Sequence, residues 1–166
     1  LAYKSLEHRV LMMEYTLRQK GEISLRDGKI TAGEDVIDGS EELVDRIKDV
    51  FGGTATIFNG DLRVSTNVRK DDGTRAVGTK LTGPAWDAVL RENKTYSGEV
   101  PILGEKYYTY YLPLRDSSGT TIGILYAGVK KEEFMKEYSA MVRDVVIASV
   151  ILLLLFCTMV YIYSKK

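Results

Sequence analysis

The chain has 166 residues, 23 Lys and Arg balanced by 23 Asp and Glu, one histidine and one cysteine. That is length for one globular domain with appendages, and zero formal net charge excludes the clustered basic excess that nucleic-acid binding needs. One cysteine excludes an intramolecular disulfide framework and thiolate metal cages, and one histidine excludes His-rich metal sites and two-histidine chemistry.

Ala2–Lys20 comes first, with Tyr3, Leu6, Val10, Met13 and Leu17 spaced alternately by three and four. That spacing predicts a helix with one apolar seam, which packs on the domain's own sheet, pairs with its copy in a dimer, or does both at different heights. Gly21 and the turn-rich Arg26-Asp27-Gly28-Lys29 end it. Asp38-Gly39-Ser40-Glu41-Glu42 opens a second helix, its side-chain oxygens placed to cap free amides, and Leu43, Val44, Ile47, Val50 and Phe51 form its apolar face. From Thr54 the period changes to two. Residues 54–58 and 62–66 read as strands around Asn59-Gly60-Asp61, a hairpin signal because Asn and Gly tolerate positive φ. A polar loop over 68–75 follows, then Gly83-Pro84 opens a short helix over 85–91 carrying Trp86. Residues 96–102, 106–112 and 120–129 read as three further strands in an antiparallel meander.

From Glu132 the pattern turns helical and runs without a breaker into residues 145–163, which carry no charge and only Ser149 and Thr158 as polar interruptions. At 1.5 Å per residue that stretch makes roughly 28 Å of helix, close to the ~30 Å hydrocarbon thickness of a bilayer. It is expected to span the membrane, with Cys157 in lipid or a helix contact. Lys165 and Lys166 favour a cytoplasmic C-terminus, which leaves the first 143 residues outside the cytoplasm. No cleavable signal peptide stands at the start, so an upstream segment, most simply a first transmembrane helix, is expected to export the domain.

The order of helix, two strands, crossover, three-strand meander and exit helix resembles PAS-like extracytoplasmic sensor folds. The segments ATIFNGDLRVSTNV, RAVGTKL and VLRENKTYSGEVPILGEKYYTYYLPLRDSSGTTIGILYAGV resemble single Cache sensor domains of prokaryotic chemoreceptors and sensor kinases over residues 55–129. The resemblance implies an α+β fold. A long N-terminal helix would pack on one face of a five- to six-stranded antiparallel sheet, with a small-molecule pocket between the other face and the crossover. It also implies a parallel homodimer along the N-terminal helix and a cytoplasmic output module. The organisation expected is a membrane-proximal helix (1–20), a sensor domain (21–131), an exit helix (132–144), a transmembrane helix (145–163) and the start of a cytoplasmic segment (164–166).

Arg63 is the first site candidate. A guanidinium offers a planar fork of donors suited to a carboxylate or another small anion; the alternative is a surface arginine paired with Asp61 or Asp72. Related receptors for citrate and dicarboxylates place an arginine in this strand and a polar partner three residues later, a position occupied here by Thr66. They also place basic residues four and two positions before the strand-ending proline, which Pro113 maps to Thr109 and Tyr111. Hydroxyls and a ring in place of cations imply a smaller or less charged ligand: a monocarboxylate, an amino acid or an amine. Alternation puts Tyr107, Thr109 and Tyr111 on one face and Tyr108, Tyr110 and Leu112 on the other, where the tyrosines are expected to pack. Trp86 either lids the pocket or anchors the core, and Lys80 and Glu99 are further polar candidates. Asp71-Asp72 lacks a third spaced oxygen ligand, so no metal is expected. Asn93-Lys94-Thr95 fits a glycosylation acceptor in a host that glycosylates exported proteins. No nucleophile–base set, phosphate loop or cofactor motif is present, and the chain is expected to be a receptor input rather than an enzyme: the sensing domain of a methyl-accepting chemoreceptor, the alternatives being the input of a sensor histidine kinase or cyclase, or a structural dimerisation domain that binds nothing.

Overall fold

The computed structural model describes residues 2–165; Lys166, expected on the cytoplasmic side, lies outside them, as does Leu1. The chain forms two units, Leu1–Lys130 and Lys131–Lys166. The first unit opens with α1 (Ala2–Lys20) and a small antiparallel meander of β1 (Ile23–Arg26), β2 (Lys29–Ala32) and β3 (Asp35–Val36). Then come α2 (Glu42–Phe51), β4 (Thr54–Asn59), β5 (Leu62–Thr66), a crossover ending in α3 (Pro84–Trp86), and β6 (Tyr96–Ile102), β7 (Glu105–Arg115) and β8 (Thr121–Lys130).

Five strands make the main sheet in the order β5-β4-β8-β7-β6, antiparallel throughout. The fold is therefore the expected α+β arrangement of a long helix on a five-stranded antiparallel sheet. β7 runs through Pro113 unbroken. Its pairing with β6 ends at Tyr111, so the missing N–H falls where β7 has a partner on β8 alone. The short helix expected over 85–91 is a single α-turn continued by a π-turn over Asp87–Arg91, closed by Glu92 N–H bonding Asp87 O at 3.0 Å.

Alternation along the strands divides the core in two. One face carries Ile57, Leu114, Ile122 and Leu125 against Leu6, Val10, Met13 and Leu17 of α1 and Val44 and Ile47 of α2. Four of the five residues of the predicted α1 seam are thus spent on the domain's own sheet; Tyr3 stays on the surface, edge-on to Tyr108 at 5.6 Å. The other face carries Phe58, Tyr107, Tyr111, Ile124 and Tyr126 beneath Val68, Leu81, Ala85 and Val89 of the crossover.

Two local expectations are corrected. The turn-rich Arg26-Asp27-Gly28-Lys29 is a turn, but it closes a strand pair that was not expected: Asp27 and Gly28 both take positive φ, 50° and 74°, the backbone of a tight hairpin. Nor does Asp38 cap α2, whose first residue has no side-chain cap. Asp38 accepts instead from Ile30 N–H at 2.9 Å and Asn59 Nδ2 at 2.8 Å, tying the small meander to the β4–β5 hairpin.

The second unit is one helix, α4 (Lys131–Ser164). It is long and apolar enough to cross a membrane, the one such helix among the described residues, and none of its most apolar stretch is buried by protein.

Candidate ligand site

Arg63 is carried by β5 but points across its neighbour β4. Its guanidinium lies 5.1 Å from the Phe58 ring centroid, and the residue is 7% exposed. A cation so placed loses most of its hydration, and burial pulls its pKa below the ordinary arginine value, with the rings of Tyr126, Tyr111 and Tyr107 opposing this. Arginine nevertheless stays charged at neutral pH. The carboxylates considered as partners are engaged elsewhere: Asp61 pairs with Lys80 at 3.5 Å, and Asp72 accepts from Thr74 Oγ1 at 2.6 Å. Among the described residues no carboxylate forms an ion pair with Arg63. Its Nη1 donates to Thr79 Oγ1 at 2.8 Å, Thr79 in turn donates to Ala76 O at 2.9 Å, and its buried Nε has no hydrogen-bond partner.

The guanidinium lines a cleft of about 160 Å³. One wall is the crossover over residues 79–82, held against β5 by Arg63 N–H to Thr79 O and Leu81 N–H to Asp61 O, each 2.9 Å. The other wall is the end of β6, residues 100–103, and Tyr111 lies between the two. Tyr111 is 1% exposed, packed 5.0 Å from the Tyr126 ring and 6.0 Å from that of Tyr96, and burial pushes its hydroxyl well above the ordinary phenol pKa. Tyr126 is fully buried with its hydroxyl 3.0 Å from Thr54 Oγ1. A side chain at Gly128 would collide with that hydroxyl, so glycine there lets the ring lie along the sheet.

The other candidates are distributed unevenly. Tyr107 shares the Tyr111 face and is 5% exposed, whereas Tyr108 and Tyr110 lie on the opposite face, with Tyr110 Oη donating to Glu7 of α1 at 3.2 Å. Thr66 is away from the cleft: its hydroxyl lies 2.6 Å from that of Thr56 and accepts from Val68 N–H at 3.1 Å. Thr109 spends its hydroxyl proton on Gly98 O at 2.8 Å. Trp86 packs against the apolar cluster under the crossover and is absent from the walls of the cleft. Lys80 reaches the rim, and Glu99 lies near Lys106 at 3.7 Å. Thr79 was not among the expected residues; its signal was its place in the short run Gly78-Thr79-Lys80-Leu81 after a polar loop, which pairs with β5 as a strand would. Among the described residues no group of His, Cys, Asp and Glu is arranged to hold a metal ion.

The family model for single Cache domain 3 matches residues 35–141, more than half of the chain. No curated protein matches it. Similar solved structures include the sensor domain of Escherichia coli DcuS, 10% identical with a TM-score of 0.49, the match covering 60% of this chain and 71% of that one. The PAS domain of Bordetella pertussis BvgS is 13% identical with a TM-score of 0.33, over 63% of this chain and 93% of that one.

Proposed function

This chain belongs to the single Cache domain 3 family, and on that premise we propose that its first unit is the extracytoplasmic ligand-sensing input of a membrane receptor, of the methyl-accepting chemoreceptor type. The ligand is a small monocarboxylate. The observation that carries this reading is Arg63, a buried cation without a carboxylate partner, with an unpaired Nε, lining a cleft. A buried charge is tolerated when a counter-ion completes it, and a guanidinium is completed best by a planar carboxylate. No acidic side chain lines the cleft, so an ammonium group finds no counter-charge there, which disfavours amines and amino acids at this site. The cleft volume lies below the ~300–1,000 Å³ of drug-sized sites, which favours a ligand of a few heavy atoms.

Thr79 holds the guanidinium in place, Tyr111 walls the site, and Tyr107 closes the same face. Thr66, Thr109 and Trp86 support the site from behind rather than touching ligand. Binding would favour one arrangement of crossover and sheet over another, and a receptor responds to that differential affinity. α4 anchors the chain in the membrane with the sensor unit outside and Lys165 inside, as the positive-inside rule favours. An output module follows in the cytoplasm. Its class is read from the coding sequence beyond Lys166, where a long heptad bundle marks a chemoreceptor and a histidine-bearing core a kinase.

The chain pairs in parallel with a second copy through the exposed stripe of α1, Leu11, Met12 and Tyr15, rather than through the buried seam. Calorimetry on the full chain in lipid nanodiscs, with acetate, propionate, lactate and pyruvate as probes, tests the site. Removing one partner of a desolvated charge-assisted contact costs ~2–5 kcal/mol, so Arg63→Ala is expected to weaken binding roughly 30-fold or more, and Arg63→Lys to restore little. A panel that binds nowhere, or that binds Arg63→Ala as well as the parent, overturns the assignment.

A further inference from the structure

The face of the sheet opposite Arg63 holds a second and larger cavity, of about 360 Å³, within the range of small-molecule sites. It opens between the last turn of α1, β3 with the turn that follows it, and the first turns of α2. Its floor reaches Ile57 in the middle of the sheet, with Leu17, Ile37 and Leu43 around it. Leu17 and Ile57 are already covered by protein, so the apolar surface open to a ligand is the half-exposed Val36 with the edges of Ile37 and Leu43.

The rim is charged, and its charges alternate. Lys20 Nζ lies 2.8 Å from Asp35 and 3.9 Å from Glu42, and Arg46 lies 3.1 Å from the same Glu42. The side chains of this chain of ions are 34–63% exposed, and pairs in that setting are weak and exchangeable. A ligand of one charge gains one rim ion but strips that ion from its present partner, leaving an unpaired charge beside an apolar floor. A ligand with both charges on adjacent atoms exchanges with a rim pair and leaves none unpaired.

We propose that this cavity is a second binding site, for a zwitterion with an apolar side chain: an aliphatic or aromatic α-amino acid. Its ammonium replaces Lys20 on Asp35, its carboxylate takes the freed Lys20 while Arg46 stays on Glu42, and its side chain lies along Val36 and the exposed edges of Ile37 and Leu43. Because the walls come from α1, β3 and α2 together, an occupant fixes the end of α1 against α2. The site is independent of the Arg63 cleft, which lies across the sheet and has no acidic lining.

The test uses the full chain in phosphatidylcholine nanodiscs carrying Arg63→Ala, so that anion binding in the other cleft does not contribute. L-Leucine and L-phenylalanine are the probes, with 4-methylpentanoate and 3-methylbutylamine as analogues that keep the apolar body and one charge each. At least one amino acid is expected to bind, with the same affinity in the parent and in Arg63→Ala, and at least about tenfold tighter than either analogue, one decade in Kd. Thr16→Trp places an indole in the mouth from the outer side of α1 and is expected to abolish binding; Val36→Trp does the same from β3 should the first variant fail to fold. Asp35→Asn is expected to weaken binding about tenfold. Absence of binding by both amino acids, loss of binding in Arg63→Ala relative to the parent, or undiminished binding in a folded cavity-blocking variant overturns the second site. The monocarboxylate reading stands or falls separately, on the parent chain and its own probes.

Discussion

Arg63 illustrates a residue whose placement costs the empty domain stability. Its guanidinium is buried with one nitrogen unsatisfied and no carboxylate beside it, and a desolvated charge is repaid only by a partner of good geometry. Thr79 needs Arg63 little, since its hydroxyl already donates to Ala76 O at 2.9 Å. Arg63→Met, apolar and of similar reach, is therefore expected to raise the thermal midpoint of the ligand-free chain by the equivalent of about 1 kcal/mol while abolishing monocarboxylate binding. A lowered midpoint would mean that the cation contributes packing the structure does not suggest. Arg63 was legible in the sequence because a charged residue in a β-rich run asks for an explanation, and alternation put Tyr107 and Tyr111 on its face. Thr66 and Thr109 were not, since a hydroxyl's use depends on which oxygen the folded sheet brings beside it, the Thr56 hydroxyl at 2.6 Å for Thr66 and the Gly98 carbonyl at 2.8 Å for Thr109. The strand pairings that decide this, β4 with β5 and β6 with β7, leave no mark at the threonines themselves.

The crossover is the element that roofs the Arg63 face of the sheet, and one arginine pins it. Arg75 is bound by both oxygens of Asp45 on α2 at 2.7–2.8 Å, by Glu41 at 2.9 Å and by Thr66 O at 2.8 Å. The hydrogen bonds from Arg75 hold the Asp45 carboxyl below its ordinary value of 3.8, against the opposing effect of desolvation. A depressed folded pKa gives stability that is complete above the unfolded value and is lost as pH falls through the folded one. The parent is thus expected to lose stability between about pH 5 and pH 2 more steeply than Asp45→Asn, as followed by thermal melting across that range. With 40% of the Asp45 side chain exposed, the difference is at most about 1 kcal/mol. Parallel pH profiles would remove Asp45 from the clamp. The hairpins and the long helices were legible because each has its own period and turn chemistry. The small meander is not legible beyond the Asp27-Gly28 turn, because strands of two and four residues are too short to show alternation. The edge strand made by residues 78–81 has no period of its own and exists only as a partner of β5.

At the scale of the molecule, the N-terminal helix shows what a single period conceals. The strongest seam, Leu6, Val10, Met13 and Leu17, is consumed by the sheet, and the sequence alone does not say whether such a seam faces its own domain or a copy. What remains outside is a weaker stripe: Leu11, Met12 and Tyr15 are 45–65% exposed, and the exposed His8, Leu11 and Tyr15 are spaced by three and four as one helix face. A stripe this narrow would associate weakly in solution, but two copies held in one membrane by α4 would meet at a raised effective concentration. With the native cysteine removed as Cys157→Ser, a cysteine at Leu11 or Tyr15 is expected to cross-link efficiently in membranes, while one at Val10 does not. Two reagents separate pairing from orientation. A membrane-impermeant bis-maleimide applied to intact cells should work as well as a permeant one if the sensor unit faces outward. Cross-linking by the permeant reagent alone would leave the dimer and reverse the topology. Cross-linking at Val10 in preference to Leu11 would require the helix to leave the sheet in the membrane-bound state, and none at either position would remove α1 from any dimer interface.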